Sequence, residues 1–290
     1  MRNFMESLFC PGCKGDLENR PSFVVCKKCG ITHEIKNGAI FFIKDRENSF
    51  RNLGNKDSLI FKVKGCLKKH PKLFLFLLAL RAPIIGKTAK EFIRDLHSDA
   101  LVLNVGSGVQ FIGQNVINVD YYPFPGVSVV ADAYNLPFKD GSVDAVIAES
   151  LLEHVVWPEK IIAGFRRVLK PGGLVYIVTP FIFGFHSSPD DYYRWTTSGL
   201  RELLSGFKEK EAGVLVGPTS AVTAILGEWL GTLFSFNIKS LYQFWALFFM
   251  AVSIPINLLD WVLGRLKLAS SIASAIYFIG EKIDVHDKTV

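Results

Sequence analysis

The chain has 290 residues, room for one large domain and a small one. Hydrophobic residues make up 49%, high for a soluble enzyme, and the formal charge of +6 suits an anionic lipid or nucleic acid without choosing between them. Met1 to Cys10 lacks the apolar core of a cleavable signal peptide, which argues against export and for the cytoplasm.

Four of the five cysteines fall into two pairs, "CPGC" (Cys10, Cys13) and "CKKC" (Cys26, Cys29). Two C-x2-C knuckles separated by a dozen residues have the spacing of a structural Zn2+ site closed by four thiolates. Two disulfides in a secreted module are the alternative, which the missing signal sequence disfavours. Cys66 is left over as a small buried hydrophobe. The following "GITHEIKNGAIFFI" alternates about Asn37-Gly38, predicting strand, turn and strand. Residues 1–44 resemble the small zinc-ribbon domains fused to, or partnering with, S-adenosylmethionine methyltransferases, with Asn37 to Ile40 where those carry "DGIP".

Residues 45–98 are read as linker plus a basic amphipathic helical segment. "KDRENSFRNLGNKDS" is the polar linker, and "FKVKGCLKKHPKLFLFLLALRAP" sets five lysines beside an eight-residue apolar block, a composition that binds anionic lipid.

From residue 99 onward the pattern is strand and helix alternating. "LVLNV" is a strand apolar on both faces, and Gly106-Ser107-Gly108 lets a ligand approach the backbone. Phe111 stands where a dinucleotide fingerprint needs its third glycine, and Asp120 follows Gly106 by 14 positions rather than about 20, both against a nicotinamide or flavin dinucleotide. So short a crossover predicts a first helix of only a turn or two. A strand ending at Asp132, another over 143–148, the helix "IIAGFRRVLK", the turn Pro171-Gly172-Gly173 and a further strand follow.

From Leu101 to about Phe207 the chain resembles class I S-adenosylmethionine-dependent methyltransferases of the ubiquinone/menaquinone-biosynthesis type, through "NVGSG", Asp120, "ADAYNLPFKDGSVDAV", "LLEH" and "RVLKPGGLVYIVTP". The resemblance implies that Gly106, Ser107 and Gly108 cradle the methionine end of S-adenosyl-L-methionine and Asp120, followed by Tyr121, holds the ribose. It implies too that Asp132 and the Ala133 backbone contact adenine, that Leu136 walls that pocket, and that Glu149 is a candidate to face the cofactor. Asn104 replaces the family's usual acid and would bond the cofactor's amino end without a charge.

The loop "FHSSPDDYYRWTTSGL" resembles the segment that closes over the site in related enzymes, making His186, Asp190, Tyr192, Tyr193 and Arg194 the catalytic candidates. The plainer alternative pairs Arg194 with Asp190 or Asp191 and packs both tyrosines. His154 is read as a packed residue. Thr196-Thr197-Ser198 offers N-caps to a helix at "GLRELL".

"KEKEAGVLVG" and "ASAIYFIGEK" read as the sixth and seventh strands, so residues 219–270 are a hydrophobic insert between them. "LYQFWALFFMAVSIPINLL" carries no charge over 19 residues, but both flanking strands must lie on one side of a membrane. Glu228 within the partner helix is costly at a bilayer centre. The expectation is a helical hairpin resting in one leaflet, with Trp229, Trp245 and Trp261 at the interface. A homodimer interface is the alternative use of this surface.

The expected architecture is therefore an α/β, Rossmann-like methyltransferase sheet with an N-terminal zinc ribbon and a hydrophobic helical insert between its last two strands. The expected activity is methyl transfer to a lipid, lipid-linked sugar or other hydrophobic acceptor, peripheral or monotopic on the inner face of the membrane. No nucleic-acid motif is present. The alternative is a non-catalytic scaffold that binds a protein partner.

Overall fold

The computed structural model describes residues 4–43, 80–186 and 190–283. The basic segment 61–83 and Cys66 lie largely or wholly outside these residues.

Three short strands, β1 (Leu17–Asn19), β2 (Phe23–Cys26) and β3 (Thr32–Lys36), form an antiparallel meander, and β4 (Ala39–Phe41) pairs with β3 across Asn37-Gly38. Asn37 and Gly38 both have positive φ, +51° and +81°, as the tight hairpin expected from "NG" requires.

The larger part is a sheet of seven strands: β5 (Val102–Val105), β6 (Val116–Asp120), β7 (Val129–Val130), β8 (Val143–Glu149), β9 (Leu169–Pro180), β10 (Phe207–Val216) and β11 (Ala275–Lys282). They lie in the order β7-β6-β5-β8-β9-β11-β10, parallel except that β11 runs antiparallel to both neighbours. The strand order turns back at β5, between β6 and β8, and in such sheets ligands settle outside the carboxyl ends of the strands at that switch point.

The cysteine-bearing unit is not hung on a linker. Its β4 hydrogen-bonds in parallel to β7, Ile40 opposite Val129 and Phe41 opposite Val130, extending the sheet to eleven strands. Leu8, Val24 and Ile40 are buried in the same core as Leu103 and Phe165. Lys139 Nζ reaches Asp16 Oδ1 at 2.7 Å across the junction. Residues 4–43 are thus one edge of the fold.

Helix α1 (Ala89–Arg94) begins with a capping box: Thr88 Oγ1 accepts from the Glu91 amide while the Glu91 carboxylate accepts from the Thr88 amide. It buries Phe92 against one sheet face, stacked on Tyr176 with centroids 5.4 Å apart. Residues 88–95, within the expected 45–98 segment, thus pack on the sheet. Helix α2 (Pro158–Val168) covers the opposite face, burying Ile161, Ile162, Phe165 and Val168 at helical spacing. Helix α3 (Thr197–Leu203) is capped by Thr196 Oγ1, which accepts from the Gly199 amide at 3.0 Å.

Two expectations fail locally. No helix forms between β5 and β6; residues 106–115 cross over as turns, the segment being too short for even one helical turn and its approaches. Pro171-Gly172-Gly173 does not precede its strand but lies within β9 as an irregularity, Leu169 and Leu174 facing Val143 and Ala145.

Residues 217–274 join β10 to β11 through α4 (Pro218–Leu233), α5 (Lys239–Val252) and two single turns, α6 (Ile254–Asn257) and α7 (Asp260–Leu263). The residues it buries are small or polar: Ser220, Ala221, Thr223, Ala224, Gly227 and Gly231 of α4, then Gln243, Asn257 and Asp260. Asp260, fully buried, caps α4 by accepting from the Thr219 amide at 2.6 Å and the Ser220 amide at 2.9 Å. The large apolar residues Val222, Leu226, Trp229, Phe244, Phe248, Trp261 and Val262 are exposed. Trp245 is half-buried, its ring stacked on Phe249. No single helix among the described residues is long and apolar enough to cross a membrane; α5 with α6–α7 would reach that length only as a pair bent by 48°.

Candidate active site

Gly106 and Gly108 close the end of β5 with φ of +72° and +54°. A Cβ at Gly106 would come within 3.0 Å of Leu151 Cδ1, whereas one at Gly108 would meet nothing within 4 Å. One glycine thus allows the β8 loop to approach, and the other leaves a cradle that a side chain would fill. Ser107 is buried, its hydroxyl without a hydrogen-bond partner.

Asp120 closes β6 beside this turn. Its Oδ2 accepts from the Gly108 amide at 2.8 Å and its Oδ1 from the Tyr122 amide at 2.9 Å. Burial pushes its carboxyl above the ordinary range, and these amides oppose that rise. Tyr121 is half-buried, its ring edge-on to Tyr122. The Tyr121 amide faces the same carboxylate, whose two oxygens offer about four acceptor sites, so capacity remains for a ribose hydroxyl.

Asp132 caps the single turn Ala133–Asn135, accepting from the Tyr134 amide at 2.9 Å. Glu149 ends β8, its carboxyl raised chiefly by burial. Ser150 beyond it holds a positive φ of +52°, a strained conformation for a residue with a side chain.

Two of the residues expected at the cofactor are buried. Asn104 is 1% exposed and donates from Nδ2 to Asn118 Oδ1 at 3.1 Å, its register partner on β6; its own Oδ1 is covered and unpartnered. That amide is turned into the sheet. Leu136 is also 1% exposed, packed in the core with Phe138, while Arg167 Nη2 holds its carbonyl at 2.8 Å.

The loop after β9 lies over the loop after β8. The Tyr192 amide donates to Glu153 O at 2.7 Å, His154 Nδ1 lies 2.6 Å from Asp190 O, and Tyr193 Oη donates to Val156 O at 2.7 Å. Tyr192 Oη donates to Asp190 Oδ2 at 3.2 Å. Arg194 is the clamp of this loop: it pairs with both oxygens of Asp191 and donates to the carbonyls of Phe183 and Gly184. Those hydrogen bonds hold the Asp191 carboxyl down to about 2. The plainer expectation for Arg194 therefore describes its geometry. His186 faces the β8 loop, its Nε2 3.7 Å from Glu153 Oε1, with burial lowering its basicity. Glu153 and His154 join this cluster from the loop after β8; their signal in the sequence is the "LLEH" segment, which puts Glu153 four residues beyond Glu149.

The four cysteines also converge. Their Sγ atoms lie within 4.8 Å of one another, Cys10 to Cys29 at 3.7 Å and Cys13 to Cys26 at 3.4 Å, and all are free thiols. Four sulfurs at about 2.3 Å from a tetrahedral centre would sit roughly 3.8 Å apart, so the set fits a zinc ion.

Residues 109–177 match the family model described as "Methyltransferase domain". Over 72 residues the chain is 40% identical to an uncharacterized methyltransferase of Mycobacterium tuberculosis, covering 24% of this chain and 28% of that one. Over 80 residues it is 40% identical to a demethylmenaquinone methyltransferase of Clavibacter sepedonicus, covering 27% and 33%. A phosphoethanolamine N-methyltransferase 2 of Haemonchus contortus, solved with S-adenosyl-L-methionine, superposes over 65% of this chain and 50% of its own at 18% identity and a TM-score of 0.42, too low to carry an argument. The chain spans a third or less of the length of these curated relatives. The sheet order is that of a Rossmann-like fold with a mixed sheet, and the match to the methyltransferase family model falls on its residues 109–177.

Proposed function

We propose that this chain is an S-adenosylmethionine-dependent methyltransferase acting on a hydrophobic acceptor at a membrane surface. The observation that carries the reading is the cradle at the switch point: Gly108 faces open space, and the Asp120 carboxylate braces its amide. Bound there, S-adenosylmethionine supplies a methyl group on a positively charged sulfur. Gly106 to Gly108 would line its amino-acid end, Asp120 its ribose, and Asp132 with Ala133 its adenine. The protein's own part would be to position the acceptor and exclude water, a role open to the β8 and β9 loops, which lie across each other.

The four thiolates would hold a structural zinc, closing the β1–β4 unit whose edge strand completes the sheet. The ion would cross-link and take no part in the reaction.

The acceptor class rests on the insert, which is polar inside and apolar outside. A water-soluble helix pair buries its large apolar residues; α4 packs through Gly227 and Gly231 and turns Trp229 and Leu226 outward, as helices do in lipid. Glu228 lies against the Gly184 backbone, so the insert borders the β9 loop. The reading is a monotopic seat on the inner leaflet, with Trp229, Trp245 and Trp261 near the headgroups. A homodimer would cover the same face, and Trp229→Glu with Trp261→Glu separates the two: loss of flotation with anionic vesicles supports the membrane, whereas a dimer that dissociates without any vesicle binding contradicts it.

The activity itself is tested by incubating the full chain with methyl-labelled S-adenosylmethionine and membrane lipid extract. Label in an organic-soluble product that is absent with Asp120→Ala supports the reading. A second reading, a non-catalytic scaffold, draws on the covered Asn104 amide, and absence of cofactor binding would favour it.

A further inference from the structure

Glu153 is buried where no hydrogen-bond partner among the described residues reaches its carboxyl group. The residue is 0% exposed, and neither Oε1 nor Oε2 has a hydrogen-bond partner. What faces it is two imidazole nitrogens: Oε1 lies 3.7 Å from His186 Nε2 and 3.9 Å from His154 Nε2. These separations are too long for hydrogen bonds. They are close to those of ligand atoms sharing one ion, since donors about 2.1 Å from a cation sit roughly 3–3.5 Å apart. One ligand atom from each of the three residues lies within 4.8 Å of the others.

The opposite sides of the two rings are held as a metal site needs. His154 Nδ1 is 2.6 Å from the Asp190 carbonyl, which can only accept, so Nδ1 carries the proton and Nε2 keeps its lone pair. His186 Nδ1 faces Asp191 Oδ2 and Arg194 Nη2, both at 3.5 Å, which leaves its Nε2 turned to Glu153. Asp191 cannot serve as an alternative counter-charge, because both its oxygens are paired with Arg194. A buried carboxylate and two imidazole nitrogens converge on one point with no charge between them.

We propose that Glu153, His154 and His186 form a two-histidine, one-carboxylate site for a first-row divalent cation, separate from the four cysteines. The imidazole and carboxylate donors suit zinc, cobalt, iron or manganese rather than calcium or magnesium. Three protein ligands leave coordination positions open, and the partial exposure of His186 puts them on the solvent side. The site begins four residues after Glu149, and Leu151 between them touches Gly106, so it adjoins the proposed cofactor turn. On the methyl-transfer reading, an oxygen of the acceptor would fill an open position, a hydroxyl there losing its proton to water more readily than in solution. That last clause rests on the proposed function; the cation site does not.

The test is Co2+ titration of the full chain after zinc has filled the cysteines, followed by visible absorption and calorimetry. The expected result is one further equivalent, with the weak absorption of nitrogen and oxygen ligation and no thiolate charge-transfer band. Glu153→Gln should weaken that equivalent by about a hundredfold while circular dichroism and S-adenosylmethionine binding persist. If Glu153→Gln fails to fold, His186→Ala on the exposed loop gives the same reading. Wild-type protein that takes up no Co2+ at millimolar concentration, or variants that bind it unchanged, would overturn the site. Loss of cofactor binding in the wild type with Co2+ binding intact would instead count against the proposed function alone.

Discussion

The Asp120 carboxylate and the Gly108 amide are joined by a 2.8 Å hydrogen bond that ties the end of β6 to the glycine turn of β5. The second oxygen holds Tyr122, so one side chain sets the shape of both strand ends. Asp120→Ala should lower S-adenosylmethionine affinity by about tenfold to a hundredfold, since an amide and a ribose contact are lost together. Calorimetric titration of wild type and variant checks this; equal affinities would remove Asp120 from the site.

Gly108 and Gly141 make a matched pair for separating backbone strain from ligand contact. Both have positive φ, +54° and +59°, and a Cβ at either would meet no neighbour. Alanine at either position should cost about 1 kcal/mol of stability. Only Gly108→Ala should weaken S-adenosylmethionine binding, by at least about tenfold. Thermal unfolding and cofactor titration of both variants give the comparison.

The Asp191–Arg194 clamp predicts a pH dependence of defined sign. The guanidinium hydrogen bonds lower the Asp191 carboxyl from 3.8 to about 2 in the folded chain. Stability from this pair is therefore complete above the ordinary value and is lost as pH falls from 3.8 to about 2. Asp191→Asn should cost about 1–2 kcal/mol at neutral pH and flatten the acid limb of the unfolding profile across that window.

Removing metal from the cysteines should expose a sheet edge. β4 covers the edge of β7, and on the proposed zinc reading the β1–β4 unit keeps it there. A strong chelator should lower the unfolding temperature and promote aggregation through the uncovered β7, both measurable by scanning calorimetry with light scattering.

Asp260 supports the insert from within. Its two charge-assisted bonds to the first turn of α4 are buried, so Asp260→Ala should destabilise the chain by about 2 kcal/mol. Proteolysis should then cut within 217–274 first, while S-adenosylmethionine binding persists.

What the sequence reveals of this molecule is local. The cysteine knuckles, the Asn37-Gly38 hairpin, the glycine turn and the closing strands each carry their signal within a dozen residues. What it conceals is pairing over distance. Nothing in Ala39–Phe41 announces Val129–Val130 as its neighbour, because a parallel edge leaves no turn between the partners. The Asn104–Asn118 pair is set by strand register, which leaves no local signal in the sequence. Phe92 reads as part of a linker until Tyr176 is found beneath it. His154 reads as packing because His186 and the burial of Glu153 come from another loop. Capping at Thr196 and the Arg194 pairing were legible, since their partners lie within a few residues.

Cofactor binding at Gly106, Gly108 and Asp120 is tested most directly by titrating the zinc-loaded full chain with S-adenosylmethionine. One binding equivalent at micromolar concentration, weakened by Asp120→Ala and by Gly108→Ala but not by Gly141→Ala, is the predicted result. No heat of binding at millimolar cofactor, with the fold and the zinc intact, would contradict it.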